Sequence, residues 1–282
     1  MGLTVPGPGR AGRILSLPGL ALVAMLLAAA PALSCGKDSD CVVGDRTYRL
    51  YRPEGRPPSG LLVFAHGYRG SAAAEMRNAA LLAMADDLGL AVAALQSEGD
   101  GWALAHSPDA PGRDAAQEFD YVDAVLDDAT ARTGVDPGRI VMAGFSAGAM
   151  LVWTIACERP DRFRGFVPMS GTFWAPVPET CPGRPANLVH VHGTADGTVP
   201  LAGRAVGGAR QGDVGAAMAM YARTGGFRET GLAEAPEGTT CRQSANPEGT
   251  ILDLCTFDGG HVFSVARLRY AIERVLAAPP PP

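Results

Sequence analysis

"RIVMAGFSAGAM", residues 139–150, begins as an apolar run and continues through two glycines into small residues that favour a helix. Its centre is GFSAG (residues 144–148), a G-x-S-x-G pattern around Ser146. The pattern lies where a strand would turn sharply into a helix, and a nucleophile elbow requires this context. A glycine two residues to either side of the serine lets the strand and the helix approach closely. We therefore interpret Ser146 as a nucleophile; the alternative is a tight turn that happens to contain a serine.

Short apolar runs alternate with segments of helical periodicity along the chain. We expect strands at residues 46–55, 60–67, 89–95, 140–143, 166–169, 188–192 and 251–257, and helices at residues 78–88, 119–133, 147–158, 214–223 and 264–276. This alternation predicts an α/β fold in which a mainly parallel sheet is covered by helices on both faces. Ligands of such sheets bind beyond the carboxyl ends of the strands, and Ser146 lies at one of these ends.

The domain organisation is expected to be simple. Residues 203–215 are rich in glycine, residues 229–249 contain both glycine and proline, and we expect surface loops in both segments. We find no internal repeat, so we predict one domain over residues 35–278, followed by a disordered proline tail at residues 279–282.

The first 34 residues have the layout of a secretory signal peptide. Arg10 and Arg13 supply a positive start, residues 20–30 supply an apolar run, and Ala32 and Ser34 supply small side chains before a cleavage site. We expect a secreted or periplasmic protein with no stable membrane association after cleavage. The alternatives are an uncleaved membrane anchor and a lipoprotein acylated at Cys35.

The cysteines are even in number, and disulfides persist where an exported chain matures. Several connectivities are open, and pairing of sequence neighbours is the simplest: Cys35 with Cys41, Cys157 with Cys181, and Cys241 with Cys255. The spacing of cysteines and histidines resembles no zinc site, so we expect no metal. The net charge of −5, without a cluster of lysine and arginine, predicts no nucleic-acid partner.

A serine hydroxyl is a poor nucleophile until a base removes its proton, so a histidine is needed. The chain order of serine, acid and histidine selects the last of the five histidines, His261. It follows the strand predicted at residues 251–257, on a loop from which it could reach Ser146. The alternative is a histidine that only caps the final helix. The other histidines lie in strands, at strand ends or in a loop: His66, His106, His190 and His192.

The acid that orients the base is expected between the serine and His261, just after a strand. Asp196, four residues beyond the strand predicted at residues 188–192, meets this condition. Its carboxylate would hold the imidazole tautomer and stabilise the imidazolium. An ordinary turn aspartate is the alternative interpretation. Three other aspartates lie before a helix, inside a strand or too near the base in sequence: Asp213, Asp253 and Asp258.

Attack on a carbonyl carbon creates an oxyanion, which needs preorganised N–H donors. We expect one donor to be the backbone N–H of Ala147, directly after the nucleophile. The second is expected in the loop at residues 64–71, after an earlier strand. We assign it to the backbone N–H of Tyr68, with Gly67 as the alternative, and we expect His66 to shape this loop.

Together, these motifs resemble the exported polyhydroxybutyrate depolymerase-like and feruloyl esterase-like α/β-hydrolases. The resemblance runs over residues 41–276 and is carried by RTYRLYRPEG, LLVFAHGYRGS, VDPGRIVMAGFSAGAMLVWTIACERPDRFRGFVPMSGT, HVHGTADGTVPLAG and FDGGHVF. It implies the α/β-hydrolase fold and a cofactor-free serine hydrolase of carboxylic esters that acts through an acyl-enzyme, with Ser146, Asp196 and His261 as the triad. The chain departs from these families because we recognise no separate module for binding a polymer or polysaccharide.

The substrate is expected to be a small or oligomeric ester, bound by a monomer. Trp102, Phe173 and Trp174 follow predicted strands on the side of the site, where they could clamp an acyl or aryl group; the alternative is that they cover the core. Two other functions stay open. One is an exported serine peptidase with the same triad, and the other is a binding protein on a hydrolase scaffold.

Overall fold

The computed structural model describes residues 1–5, 7, 9, 35–108 and 115–280. The chain divides into Met1–Ala32 and Leu33–Pro282, and every element below belongs to the second of these units. The apolar run and the cleavage site of the expected signal peptide lie outside the described residues, as does the end of the proline tail.

The described residues contain twelve β-strands, which we number in chain order: β1 (Cys41–Val43), β2 (Arg46–Tyr51), β3 (Gly60–Ala65), β4 (Leu90–Leu95), β5 (Ile140–Phe145), β6 (Gly165–Met169), β7 (Asn187–Gly193), β8 (Ala205–Val206), β9 (Ala209–Arg210), β10 (Arg228–Ala235), β11 (Thr239–Ala245) and β12 (Leu252–Phe257). Ten of them form one sheet in the order β1-β2-β4-β3-β5-β6-β7-β12-β11-β10, and β8 pairs with β9 separately. The six strands from β4 to β12 are parallel. The flanking strands are antiparallel.

Six α-helices lie in the same described part of the chain: α1 (Ala72–Glu75), α2 (Ala79–Leu88), α3 (Ala115–Thr133), α4 (Ala147–Glu158), α5 (Val214–Gly225) and α6 (Val265–Ala277). Two hydrophobic cores lie on opposite faces of the sheet, one with α3, α4 and α5 and the other with α2 and α6. Successive residues of β3 alternate between them because side chains of a strand point to opposite faces. Leu61 and Val63 join the first core, and Leu62 and Phe64 the second. This arrangement is the predicted mainly parallel sheet with helices on both faces. Within the described ranges, no helix combines the length and the apolar character that crossing a membrane demands.

The prediction of a surface loop at residues 229–249 is wrong. The chain forms the hairpin of β10 and β11 there, at the edge of the sheet. Most of β10 is exposed and carries polar residues, so it lacks the apolar run by which the central strands are recognised. The expected loop at residues 203–215 likewise contains the short ribbon of β8 and β9.

Three disulfides join sequence neighbours, Cys35 to Cys41, Cys157 to Cys181 and Cys241 to Cys255. All six cysteines belong to the described residues, and none of them is free. Cys241 and Cys255 are directly opposite each other on β11 and β12, so their disulfide fastens the edge hairpin to the parallel sheet. Cys157 lies near the end of α4, and its disulfide ties this helix to the loop after β6.

Candidate active site

Ser146 is the single residue between the end of β5 and the start of α4. Its backbone has φ 57° and ψ −119°, a conformation that residues with a side chain rarely adopt. The surrounding chain holds it there, because its N–H donates to the carbonyl of Met169 at 2.9 Å and its carbonyl accepts from Ala149 at 3.0 Å. The side chain makes no capping bond to α4. The geometry is that of a nucleophile elbow, with a half-buried hydroxyl that is not committed to the helix.

Glycines make this turn possible because neighbouring main chains occupy the space of a side chain. A Cβ atom on Gly144 would lie 2.6 Å from the carbonyl carbon of Gly148. A Cβ atom on Gly148 would overlap the carbonyl oxygen of Ala65 at the end of β3, and one on Gly171 would overlap that of Ser146. The sequence pattern therefore reflects close packing of β3, β5 and α4, together with the loop after β6.

Asp196 and His261 meet beside the elbow, although 65 positions separate them in sequence. His261 Nδ1 lies 2.7 Å from Asp196 Oδ2. The other carboxylate oxygen, Oδ1, accepts the backbone N–H groups of Thr198 at 2.9 Å and Val199 at 2.8 Å, so the carboxylate is fixed from both sides. Asp196 is 4% exposed. Because an ionised carboxylate can only accept, His261 carries its proton on Nδ1, and its Nε2 is free to take another.

The His261 ring is held next to the serine by Phe145, the last residue of β5. The two ring centroids are 4.6 Å apart, with an angle of 37° between the planes. In the described part of the chain, no hydrogen bond joins His261 to the Ser146 hydroxyl. Hydrogen bonds of this kind are often long in free enzymes and tighten when substrate binds.

The loop after β3 lies against the other side of the elbow. A Cβ atom on Gly67 would be 3.4 Å from that of Ser146, so the loop packs directly on the serine. His66 Nδ1 donates to the Gly67 carbonyl at 2.8 Å, while the Ser97 N–H donates to its Nε2 at 3.3 Å. Burial lowers the pKa of His66, so its imidazole is neutral and shapes this loop.

Tyr68 and Ala147, the two residues expected to stabilise the oxyanion, line the same cavity as Ser146. Ala147 is the first residue of α4, where the backbone N–H has no partner within the helix and the helix dipole favours negative charge. Tyr68 is half-exposed, and its hydroxyl donates to Asp100 Oδ2 at 3.1 Å.

The cavity at Ser146 has a volume of about 360 Å³. Apolar side chains form most of its described wall, and polar ones come from the segments after β7 and around β8 and β9: Tyr68, Pro108, Ala147, Met150, Trp174, Thr198, Val199, Arg204, Val206, Gly207 and Gln211. The described ranges contain no cluster of three or more histidine, cysteine, aspartate or glutamate residues that could hold a metal ion.

The three aromatic residues expected at the substrate have different positions. Trp174 lines the cavity. Trp102 is 2% exposed and is a core residue; its Nε1 donates to the His66 carbonyl at 3.0 Å. Phe173 is also buried, and its ring centroid is 5.4 Å from that of Trp153. Trp174 is 8% exposed and belongs to the same core as Phe173, but it also contributes to the wall of the cavity.

Gln211 is a cavity residue that the sequence analysis did not identify. It lies just after β9, is 5% exposed and pairs with Trp174 in an isolated antiparallel bridge. Its Oε1 atom is buried, and no described group donates to it. The glycines of this segment predict a surface loop, and no sequence pattern marks Gln211, because its pairing with Trp174 joins segments that are distant in the chain.

The fold and this site define an α/β-hydrolase. Residues 105–207 match the phospholipase/carboxylesterase family of that fold. A protein named "Putative esterase NocK" from Nocardia uniformis subsp. tsuyamanensis is 31% identical over 253 residues, 79% of this chain and 73% of that protein. The chain therefore belongs to the carboxylesterase family of α/β-hydrolases, and it is a serine ester hydrolase.

Further comparisons agree with this family. "Probable feruloyl esterase C" from Aspergillus clavatus is 24% identical over 149 residues, 51% of this chain and 50% of that protein. This relative confirms the expected resemblance to feruloyl esterase-like proteins. Among solved structures, acetyl xylan esterase from Aspergillus awamori has a TM-score of 0.59 at 13% identity, over 79% of this chain and 93% of that one. An S-formylglutathione hydrolase from Agrobacterium tumefaciens has a TM-score of 0.54 at 16% identity, over 82% and 90%. Likeness at these identities concerns the fold, and it confirms the α/β-hydrolase prediction.

Proposed function

We propose that this esterase works through a triad of Ser146, His261 and Asp196. The observation that carries the proposal is the 2.7 Å contact of His261 with a buried Asp196, next to a serine held in a strained elbow. Asp196 keeps the Nδ1–H tautomer of His261, so that Nε2 accepts the hydroxyl proton as Ser146 attacks the ester carbonyl. The backbone N–H groups of Ala147 and Tyr68 bind the oxyanion.

The reaction then proceeds in two halves. His261 gives its proton to the leaving alkoxide oxygen, the C–O bond of the ester breaks, and an acyl-enzyme stays on Ser146. A water molecule loses a proton to His261 and attacks the acyl carbon, which releases the carboxylic acid and restores the serine. No cofactor enters either half.

For the substrate, we propose an ester whose acyl group is aromatic and carries a hydroxyl. A cavity of about 360 Å³ is large enough for one aryl acyl group, and the side chains of Trp174 and Met150 supply apolar contacts. The buried Gln211 Oε1 has no described donor, and a hydroxyl on the acyl group would satisfy it. The name of the Aspergillus clavatus relative, a feruloyl esterase, agrees with this class.

We further propose that the protein is exported. Three disulfides support this proposal, since such bonds persist in oxidising compartments and are rare in the cytosol. The layout of residues 1–34 as a signal peptide agrees with it. Amino-terminal sequencing of the protein from a culture supernatant or periplasmic extract is expected to begin near Cys35; a chain that retains Met1 in the cytosol would contradict export.

The triad is tested by active-site labelling. We expect a fluorophosphonate probe to modify Ser146, as located by peptide mass spectrometry, and the label to disappear in His261→Ala. Hydrolysis of p-nitrophenyl acetate and butyrate is expected to vanish in Ser146→Ala and to persist in the control Ser59→Ala, because Ser59 lies before β3 and bonds to Gly89. Unchanged hydrolysis in Ser146→Ala would rule out the triad, and an unlabelled, inactive protein would favour a binding function.

The substrate class is tested with a matched pair of esters, methyl 4-hydroxycinnamate and methyl cinnamate, which differ only at the ring hydroxyl. We expect the hydroxylated ester to have a kcat/KM about tenfold higher, and Gln211→Leu to remove this preference, since the leucine leaves the hydroxyl without an acceptor. Equal values for the two esters would contradict the hydroxyaryl class and leave ester hydrolysis by the triad intact.

A further inference from the structure

Three buried side chains connect the nucleophile helix to the acid, and none of them lines the cavity. Trp153 lies on α4, about two turns after Ser146. His190 and His192 are alternate residues of β7 and point to the same face of the sheet. All three are 0% exposed. Their polar atoms form an unbroken series, from Trp153 Nε1 to His190 Nδ1 at 3.0 Å and from His190 Nε2 to His192 Nδ1 at 2.9 Å.

The direction of every bond in this series is determined by its two ends. An indole Nε1–H can only donate, so His190 Nδ1 accepts and the His190 proton is on Nε2. That proton is donated to His192 Nδ1, which places the His192 proton on Nε2. His192 Nε2 lies 2.8 Å from the Val199 carbonyl, which can only accept. Both histidines are therefore neutral Nε2–H tautomers with every nitrogen satisfied.

The series ends on the turn that carries the acid. Val199, whose carbonyl accepts from His192, donates its own N–H to Asp196 Oδ1 at 2.8 Å. His192 Nε2 is also 3.5 Å from Asp196 Oδ2, the oxygen that faces His261. Thus a continuous path of hydrogen bonds leads from the helix of the nucleophile, across β7, to the carboxylate that orients the base.

Neutrality of the two imidazoles agrees with their surroundings. Burial lowers the pKa of His190, and the neighbouring His192 lowers it further. Burial also lowers the pKa of His192, against the opposing effects of the Val199 carbonyl and the Asp196 carboxylate, while His261 adds to the lowering. Neutral imidazoles in fixed tautomers supply donors and acceptors without placing a second charge beside the acid.

We propose that His190 and His192 are positioning residues which, with Trp153 as their fixed donor, hold the Asp196 turn in register with the nucleophile helix. This inference rests on the proposed triad. A chain of buried, fully paired polar groups is rigid, because loss of any one bond leaves a buried group unsatisfied. The apolar side chains that usually fill such positions could hold the sheet together, but they could not fix the direction of the carboxylate.

The first test removes the donor and keeps an aromatic side chain. In Trp153→Phe, we expect kcat to fall by roughly tenfold with KM unchanged, since the acid loses its alignment and the cavity keeps its wall. The matched control is Tyr221→Phe, whose ring packs edge-on against Trp153 at 5.7 Å and whose hydroxyl accepts from the Ala186 N–H at 3.0 Å. It loses a buried hydrogen bond in the same aromatic cluster, outside the series, and is expected to keep kcat.

Nuclear magnetic resonance of protein labelled with ¹⁵N-histidine determines which ring nitrogen of each histidine carries the proton. In the wild type, His190 and His192 are expected to show the Nε2–H pattern and to remain neutral at neutral pH. In Trp153→Phe, the Val199 carbonyl still fixes both Nε2–H tautomers, and we expect only the ¹⁵N signal of His190 Nδ1 to shift, because this atom no longer faces a donor. An Nδ1–H tautomer in the wild type, an unchanged His190 Nδ1 signal in Trp153→Phe, an unchanged kcat, or an equal loss of kcat in Tyr221→Phe would each overturn the proposal.

A second pair of variants covers the case in which Trp153→Phe folds poorly. The amide N–H of His192→Gln can still donate to the Val199 carbonyl, whereas His192→Leu has no donor. We expect the glutamine variant to keep a higher kcat than the leucine variant by roughly tenfold, and equal values would overturn the proposal. Failure of the triad itself would be seen separately, because Ser146→Ala would then keep its activity.

Discussion

Gly148, two residues after the nucleophile, packs directly on the main chain of Ala65. A Cβ atom at position 148 would overlap the Ala65 carbonyl oxygen and lie 2.7 Å from that of His66. We therefore expect Gly148→Ala to push α4 away from β3, lower the free energy of unfolding by about 3 kcal/mol, and abolish ester hydrolysis because the oxyanion donors separate. Urea denaturation and hydrolysis of p-nitrophenyl butyrate measure the two effects.

Gly36→Ala is the matched control for this steric effect. The nearest atom to its added methyl group, Ser39 Oγ, is 4.0 Å away, so the change fills open space. Stability and activity are expected to stay at wild-type values. If Gly148→Ala behaved in the same way, the close packing of the elbow would not be the reason for the glycine.

The carboxylate of Asp196 has two separable tasks. In Asp196→Asn, the remaining oxygen can still accept from Thr198 and Val199, but the amide N–H₂ faces His261 Nδ1 and favours the wrong tautomer. We expect kcat to fall about 10⁴-fold while the fold stays intact. Asp213→Asn is the control, because Asp213 caps α5 by accepting the Ala216 N–H and asparagine caps equally well. Comparable losses of kcat in both variants would show that Asp196 is an ordinary turn residue.

The sheet could be predicted from sequence where burial is complete. Every residue of β3 and of β4 is buried, so both strands appear as unbroken apolar runs. The hairpin of β10 and β11 has the opposite character, with a polar and exposed outer strand, and sequence patterns do not distinguish such a strand from a loop. The position of this hairpin in the sheet depends on strand pairing and on the Cys241–Cys255 disulfide, and both are interactions between residues that are well separated along the chain.

The candidate site was predictable to the extent that strand ends converge. Ser146, Asp196 and His261 each follow a strand of one parallel sheet, so topology alone places them at the same edge. The direction of a side chain within a loop has no such rule. Trp102 turns inwards to the His66 carbonyl, and the contact of Gln211 with the cavity depends on a bridge between distant segments.

Glu75 makes the stability depend on pH. Burial raises the pKa of this carboxyl from 4.5 to about 7. The folded protein therefore binds a proton that the unfolded chain has already released, and stability is lost as the pH rises from about 4.5 to about 7. Glu75→Gln is expected to raise the free energy of unfolding at pH 8 by up to roughly 3 kcal/mol and to leave it nearly unchanged at pH 4.

Urea denaturation at both pH values measures this difference. The exposed residue of the same type at position 179 provides the control, and Glu179→Gln is expected to have no effect at either pH. A stabilisation by Glu75→Gln that is equal at both pH values would mean that the proton of Glu75 is not the cause.

The disulfides are expected to differ in their contribution to stability. In the chain-entropy model, a cross-link stabilises by restricting the unfolded chain, and the effect grows with the length of the closed loop. Cys157 and Cys181 are 24 positions apart, and Cys35 and Cys41 only 6. Replacing both cysteines of the longer loop by alanine is expected to lower the free energy of unfolding by about 3 kcal/mol. The same replacement in the shorter loop is expected to lower it by about 2 kcal/mol. The longer loop includes Trp174, so loss of the disulfide that closes this loop is also expected to raise the KM for the ester. Urea midpoints and esterase kinetics of the two double variants test the order, and a larger loss from the Cys35 and Cys41 pair would show that native contacts, rather than unfolded-chain entropy, dominate.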